Sequence, residues 1–434
     1  MTPSNGTTSD GTTRRRASAG FSAMAIAVVA ALCLLYALGQ FLRTSVGVIG
    51  PNLVHELSLS AFQLGLLTSV FLLALAAVQV PLGVALDRYG PRACLLVCVG
   101  FLVLGALLFS FAQGVTGLAT ARALMGIGSA SFLVAPIALY ARWFRLERLS
   151  TVSGIHLGVG TLGILFATAP MAHASAAFGW RATFMMAAAV GVLVGLAAWL
   201  VVRDDPPGTQ PAPRRDESLR ESLMGVLEVM RTPSIGRLFL AAVASTPTFL
   251  LVVGLWGGPY LSHVYGFDLA GRGEILFIPA LAQAAGAFFW GPLDRWFGDY
   301  RRPATISLAI TFGSLALIAV WGRPPLPILI AALAALGFST AIASLLMAHG
   351  RSLVAPHLLG RSITLLNIGS MGGGFLIQFL SGGLIELFPT QNGAYPVEAF
   401  QSVFGLQAIF VLIAAWAYWG SRDASDLVPQ AKFG

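Results

Sequence analysis

Twelve long apolar runs alternate with short polar loops along nearly the whole chain, and each run is 20 to 29 residues long. A helix needs about 20 apolar residues to cross the hydrocarbon core of a bilayer. The pattern therefore predicts twelve membrane-spanning helices, which we number as spans 1 to 12. They cover residues 22–50, 62–84, 93–112, 117–140, 150–172 and 181–202, then 237–262, 272–293, 303–322, 327–349, 362–388 and 400–420.

The polar region 203–236 separates the first six runs from the last six. Its proline-rich start cannot hold regular structure, but Ser218 and Glu221 then have the spacing of a capping box. Apolar residues recur one helical turn apart after this cap, at Leu219, Leu223, Leu227 and Met230, and Pro233 ends the pattern. We predict a short amphipathic helix that lies on the membrane surface.

These breaks divide the chain into five regions. We expect a disordered tail at 1–20, an N-terminal six-helix half at 21–202, the linker at 203–236, a C-terminal six-helix half at 237–421 and a second tail at 422–434. The expected fold class is an all-α membrane protein with a central cavity between the halves.

Composition excludes most other classes of protein. Hydrophobic residues make up 56% of the chain and charged residues 10%, whereas soluble domains carry about 25% charged residues. A soluble enzyme, a nucleic-acid binder and a disulfide-rich secreted domain are therefore excluded. The cysteines Cys33, Cys94 and Cys98 all lie in apolar runs, and we expect no metal site or cofactor.

The basic residues predict the orientation. Of 26 Lys and Arg, 21 fall in the tails and loops on the side of the N-terminus, and three fall on the other side. Because basic residues concentrate on the cytoplasmic side, we expect a multi-pass cell (inner) membrane protein with both termini and the linker in the cytoplasm.

A loop motif follows span 2 and recurs, altered, after span 8. The first copy holds Gly83, Asp87, Arg88, Gly90 and Arg92, and the second holds Asp294 and Arg295. The glycines permit a tight turn and close helix approach. Asp87 can pair with Arg88, with Arg92 or with a neighbouring helix terminus. We predict that contacts of this loop stabilise the conformation that is closed to its side of the membrane. The alternative is a basic loop that only sets the membrane orientation.

The first copy resembles the signature loop of the major facilitator superfamily. Further similar segments are Arg122-x-x-x-Gly126-x-Gly128 in span 4, Arg142-Trp-Phe-Arg145, and Gly179-Trp180-Arg181 at the start of span 6. The resemblance covers residues 20–420. It implies a twelve-helix transporter that exposes a central cavity to each side in turn. For Arg122 it implies a coupling role, and a structural pairing role is the alternative.

Span 1 carries the clearest candidate site. Tyr36, Gln40 and Arg43 recur at helical spacing and so share one face, and an ionisable residue inside a span is a functional candidate. We predict that Arg43 contacts the solute. Alternatively, Arg43 extends toward the outer headgroups, since Pro51 is predicted to end the span about 12 Å away at helical rise.

Polar residues in other spans complete the predicted pocket. They are His156 in span 5, Trp256 and Tyr260 in span 7, Gln283 in span 8, and Asn367 and Gln378 in span 11. The alternative for each is a packing or hydrogen-bonding role between helices.

The expected solute is a small organic anion. None of the 18 Asp and Glu falls in the middle of a span, so Arg43 would give the cavity a positive potential, and a guanidinium binds two carboxylate oxygens at once. Arg43 and His156 are similar to residues in organophosphate and organic-anion branches of the superfamily. Span 7 lacks the second Arg that the phosphate exchangers carry, which favours a carboxylate.

We therefore expect a monomeric secondary active or facilitative transporter, not an enzyme. Its expected partners are the anionic solute, the lipid bilayer and a coupling proton or counter-anion, with no nucleic acid. The main alternative is a proton-coupled multidrug or metabolite exporter of the same superfamily.

Overall fold

The computed structural model describes residues 10–207, 219–290, 293–355, 358–391 and 393–421. Eleven helices in these segments are long and apolar enough to cross a membrane. The bent pair Ala61–Ala77 and Gln79–Tyr89 makes a twelfth span. The structure thus confirms the all-α fold of twelve spans.

The helices follow the predicted order. The first six spans contain Asp10–Thr44 with Val46–Leu57, Ala61–Ala77 with Gln79–Tyr89, Pro91–Phe111, Val115–Ser129 with Ser131–Trp143, Leu146–Phe166, and Ala169–Val201. The last six contain Ile235–Ala244 with Thr246–Leu251, Val252–Trp256 and Gly257–His263, then Leu269–Trp290, Arg301–Trp321, Leu326–Ser339 with Ala343–Ser352, Leu359–Glu386, and Val397–Trp419. Shorter helices are Leu219–Met230 in the linker and Leu293–Phe297 after span 8.

Three span boundaries differ clearly from the prediction. The first helix begins at Asp10, inside the tail 1–20 that we expected to be disordered. Pro51 does not end span 1, because the helix Val46–Leu57 runs through it and stops at Ser58, whose φ is 51°. A proline removes one helical hydrogen bond, and neighbouring helices make this tolerable in a membrane bundle. Span 5 continues past residue 172 until Gly179, whose φ of 80° separates it from span 6 within Ala169–Val201.

A helix forms in the linker where the pattern predicts one, at Leu219–Met230. Its buried positions are Gly225 and Val229, whereas the predicted apolar residues Leu223 and Leu227 are exposed. The helix packs against the end of span 2 and the start of span 11. It therefore touches both halves on one side of the bundle, which we call the linker side. The predicted cap Ser218 lies outside the described residues.

The two halves pack tightly on the opposite side, which is the side away from the linker. A Cβ at Gly258 would collide with the carbonyl oxygen of Gly47, and a Cβ at Gly65 would lie 3.0 Å from the Cα of Gly382. Spans 1 and 7, and spans 2 and 11, can approach this closely only because these positions are glycines.

Candidate functional site

A cavity of about 390 Å³ lies between the two halves, which is the size of sites for small molecules. Its wall is formed by spans 1, 2, 4 and 5 of the first half and spans 7, 8, 10 and 11 of the second. The cavity extends toward the linker side, where Gly154, Leu157 and Phe288 line it and are exposed.

The predicted face of span 1 lies on this wall, with Tyr36, Gln40 and Arg43 all lining the cavity. Arg43 extends across to span 11, where its Nη1 lies 3.8 Å from the sulfur of Met371. The Nε of Arg43 is buried and has no partner. No carboxylate lies within 4.0 Å of its guanidinium in the described part of the chain. Arg43 therefore presents an unpaired positive charge to the cavity rather than to headgroups.

Arg122 fixes the backbone that carries Arg43. It is 1% exposed and donates from Nη1 to the carbonyl of Leu42 (2.6 Å), from Nη2 to the carbonyl of Arg43 (3.3 Å) and from Nε to the carbonyl of Leu67 (3.2 Å). The helix Asp10–Thr44 ends here, and the last carbonyls of a helix need partners from outside it. Arg122 supplies hydrogen-bond donors to two of these carbonyls, and it does not line the cavity.

His156 lies behind the cavity wall. It is completely buried, with Nε2 2.9 Å from the carbonyl oxygen of Phe132 and Nδ1 3.0 Å from the hydroxyl of Tyr140. A carbonyl only accepts, so Nε2 carries the proton and Nδ1 accepts from Tyr140. The ring stacks on Tyr36 at 4.7 Å. His156 thus supports a lining residue and does not itself face the cavity.

The second half contributes neutral groups. Gln283 and Asn367 line the cavity, and the Oε1 of Gln283 is buried without a hydrogen-bond partner. This amide oxygen is available to accept a hydrogen bond from a bound molecule.

Three other predicted residues of the second half do not line the cavity. The indole of Trp256 donates to the hydroxyl of Ser381 (2.8 Å), Tyr260 donates to the carbonyl of Gly322 (2.6 Å), and Gln378 donates to the carbonyl of Leu250 (3.0 Å). In this structure Trp256 and Gln378 join spans 7 and 11, and Tyr260 bonds to the end of span 9, so their polar groups hold helices together away from the cavity.

The loop motif forms contacts within the first half. Gly90 has a φ of 88°. The backbone N–H of Arg92 donates to Asp204 Oδ1 (2.7 Å), and its guanidinium donates to the carbonyl of Trp199 (2.8 Å). Arg92 therefore binds the end of span 6, which the sequence did not identify as its partner.

The other loop residues are placed differently. Arg88 lies over the ring of Tyr89 at 5.6 Å, and Asp87 is exposed. Nothing lies within 4 Å of a Cβ built at Gly83, so the close helix approach expected there does not occur. The side chains of Asp294 and Arg295 lie outside the described residues.

Sequence reasoning missed a contact that joins the halves on the opposite side. Glu386 of span 11 accepts from the hydroxyl of Ser60 (2.8 Å) and the N–H of Phe62 (2.7 Å), and the Tyr395 phenol oxygen accepts from the N–H of Ala61 (3.3 Å). Burial, with the charge of Glu386, raises the pKa of Tyr395 above its usual range. The carboxylate of Glu386 therefore lies at the N-terminus of the span 2 helix, where the helix dipole favours a negative charge.

Several hydroxyl residues on the wall also escaped prediction. They are Ser129, Thr161, Ser245, Thr246, Thr340, Ser344 and Ser370. Serine and threonine are frequent in membrane helices as interhelical hydrogen-bonding groups, so no sequence signal separates lining hydroxyls from packing ones.

Comparison with known proteins agrees with this architecture. The sequence profile of the Major Facilitator Superfamily matches residues 32–273. The chain is 26% identical to a probable L-galactonate transporter of Escherichia coli (strain K12) over 263 residues, which cover 58% of each protein. It is also 26% identical to a probable sulfoacetate transporter of Cupriavidus necator over 302 residues, 65% of this chain and 67% of that one. The chain thus matches little more than half the length of the first relative.

A solved structure shows the same fold. The crystal structure of a bacterial homolog of the human lysosomal transporter Spinster, in an inward-facing and occupied conformation, superposes with a TM-score of 0.75. It is 20% identical and covers 90% of this chain and 95% of its own. With twelve spans around a central cavity and a matching family profile, this chain belongs to the major facilitator superfamily, and its named relatives are transporters rather than enzymes.

Proposed function

We propose that this protein is a secondary transporter that carries a small, carboxylate-type organic anion by alternating access. The observation that carries the proposal is the guanidinium of Arg43, which lies on the cavity wall with no carboxylate to neutralise it. A charge that is held away from water without a partner is costly unless a ligand compensates it. A bound carboxylate would do so with two parallel hydrogen bonds.

The rest of the wall suits an organic acid. Gln40 lies beside Arg43 on the same helix face, where its amide nitrogen donates to the hydroxyl of Tyr36 at 3.5 Å, while Gln283 and Asn367 line the cavity from the second half. These amides can bind hydroxyl or sulfonate oxygens on the body of the solute. The named substrates of the two relatives, L-galactonate and sulfoacetate, are both organic acids.

The proton-coupled exporter is the alternative. Such a protein would be expected to place a carboxylate beside its cavity to carry the proton. The residues that line the cavity in the described part of the chain include neither Asp nor Glu. This supports an organic-anion transporter over a cation or drug exporter.

The arrangement of contacts between the halves supports alternating access. The halves touch on the opposite side, at Gly47 with Gly258 and at Ser60 with Glu386, while the cavity extends to the linker side. If the linker side is cytoplasmic, as the basic residues predict, this is the inward-facing state. Transport then requires the contacts on the opposite side to break and new ones to form near residues 83–92.

Arg43→Ala tests the anchor. We expect L-galactonate or sulfoacetate to stabilise the purified protein against heat, because a ligand that binds only the folded state raises its stability. We expect Arg43→Ala to remove this stabilisation and to reduce uptake into liposomes about 100-fold or more, since it deletes a charge-assisted bidentate contact.

Arg323→Ala is the matched control, because Arg323 is exposed and lies outside the cavity. This variant should bind and transport like the parent protein. Undiminished uptake by Arg43→Ala would reject the anchor. Equal stabilisation of the parent and Arg43→Ala by a cationic drug, with none by the acids, would favour the exporter.

Asp87→Asn tests the loop. If the loop stabilises the state that is closed on the linker side, the variant should slow turnover several-fold while leaving the solute Kd within about twofold, because an interaction made in one state biases the equilibrium between states. Counterflow rates and equilibrium binding separate the two effects. Normal turnover would leave the loop with only a topogenic role.

A further inference from the structure

A second pocket, separate from the central cavity, lies on the opposite side of the bundle. Its volume is about 450 Å³, and none of its lining residues lines the central cavity. Asn52 and His55 of span 1 and Ser175 near the end of span 5 line it from the first half. Arg272, in the first turn of span 8, lines it from the second half.

Arg272 is a buried cation without an ion pair. It is 4% exposed, and its Nη2 donates to the neutral Oδ1 of Asn52 at 2.7 Å. Its Nε is buried and has no partner. In the described segments no carboxylate lies within 4.0 Å of its guanidinium. Asp268, one turn earlier, accepts from the N–H of Gly271 at 2.8 Å.

The carboxylate that does line this pocket is already paired. Glu56 accepts from the indole of Trp180 at 2.6 Å and forms a salt bridge with Arg181. Its negative charge is therefore offset within the first half. The pocket keeps the positive charge of Arg272, which is reinforced by the positive dipole at the start of span 8.

We propose that this pocket binds a small oxyanion between Arg272 and the polar groups of span 1. The planar guanidinium can donate two parallel hydrogen bonds to such an anion. Asn52 lines the pocket from the other half. Its amide oxygen accepts from Arg272, and its amide nitrogen is a hydrogen-bond donor that an oxyanion can accept from. The site is independent of Arg43 and of the identity of the transported solute.

Binding here would regulate transport. Arg272 belongs to the second half and Asn52 to the first, so the site is complete only while the opposite side is closed. A ligand shifts an equilibrium toward the state that it binds better. An oxyanion present on the opposite side therefore holds the protein in the state described here and slows turnover.

The test uses the full chain carrying Arg43→Gln, so that the central cavity has lost its own guanidinium. Sodium sulfate is compared with sodium chloride at matched ionic strength, because sulfate and chloride then screen charges equally. We expect sulfate to raise the melting temperature by about 2–4 °C over chloride. It should also slow hydrogen exchange at residues 49–56 and 268–273 but not around the central cavity.

Adding Arg272→Gln should abolish the local protection from hydrogen exchange and reduce the melting-temperature shift to its non-specific part, whereas adding Arg323→Gln, which removes an exposed cation, should leave both effects unchanged. Sulfate also stabilises proteins through exclusion from their surface, and that general effect would persist in Arg272→Gln. If the neutral variant does not fold, Arg272→Lys keeps the positive charge. This variant should bind sulfate about tenfold more weakly, because an ammonium group cannot form the bidentate contact of a guanidinium. An equal sulfate shift in all variants, or protection confined to the central cavity, would overturn the proposal.

Discussion

Spans 1 and 7 are the first helices of the two halves, yet their polar side chains lie in different surroundings. Span 1 directs Tyr36, Gln40 and Arg43 into the cavity. The 207-residue offset between Asp87 and Asp294 pairs these positions with Val243, Pro247 and Leu250, which are all apolar. Span 7 does contribute the hydroxyls of Ser245 and Thr246 to the wall. Its predicted site residues, Trp256 and Tyr260, lie further along the span and are buried outside the cavity.

The difference shows how a repeated fold divides its work. The first half places a cation on the cavity wall, whereas the second half contributes neutral groups to that wall and glycine contacts to the closed side. Glycines at positions 47 and 258 let the two spans meet. Recognition and closure can therefore be altered separately, and the following substitutions test that separation.

Gly258→Val should have the largest effect. Its Cβ would collide with the carbonyl oxygen of Gly47, so the opposite side could not close and turnover should fall about 100-fold or more, since overpacking costs about 1–3 kcal/mol and here meets backbone. Gly254→Ala is the control on the same span, because its Cβ would meet only Leu250 at 3.7 Å. Counterflow in liposomes measures both, and normal turnover by Gly258→Val would show that close contact is dispensable.

Gln40→Ala should have an intermediate effect on binding alone. It removes one hydrogen-bonding group from the cavity wall, worth about 1 kcal/mol, so the solute Kd should rise about five- to tenfold. The melting temperature without solute should stay unchanged. A fall in stability without loss of affinity would mean that Gln40 serves packing rather than recognition.

Trp256→Phe should have the smallest effect and the reverse pattern. The variant loses the hydrogen bond to Ser381, at a cost of about 1 kcal/mol, and the melting temperature should fall by about 2–4 °C. Solute affinity should stay within twofold, because the indole does not line the cavity. If affinity fell as it does for Gln40→Ala, the distinction between spans 1 and 7 would be lost.

The cavity-lining face of span 1 was predictable from the sequence, because its polar residues recur at helical spacing. A polar stripe in an apolar helix cannot face lipid, so Tyr36, Gln40 and Arg43 were found together. The same argument selected Trp256 and Gln378, since helical spacing shows which residues share a face but not what that face meets. The structure places the first group on a cavity and the second against neighbouring helices.

The buried position of Arg272 was not accessible in this way. In the sequence it is one of three basic residues on the side away from the linker and resembles an ordinary loop residue. It is buried in the structure, and its guanidinium bonds to Asn52, which is 220 residues distant in the sequence. The same holds for Glu386, whose partners Ser60 and Phe62 belong to the other half.

The sequence by itself determined the number of spans, their grouping into sixes and the presence of a cation within span 1. These follow from the cost of placing polar groups in hydrocarbon, which acts on each segment separately. Only the tertiary structure decided which polar groups border open space, which bond to each other and which side of the bundle is closed. Those outcomes depend on how helices that are distant in sequence pack together. The hydrophobic pattern of one segment does not determine which other helix it contacts.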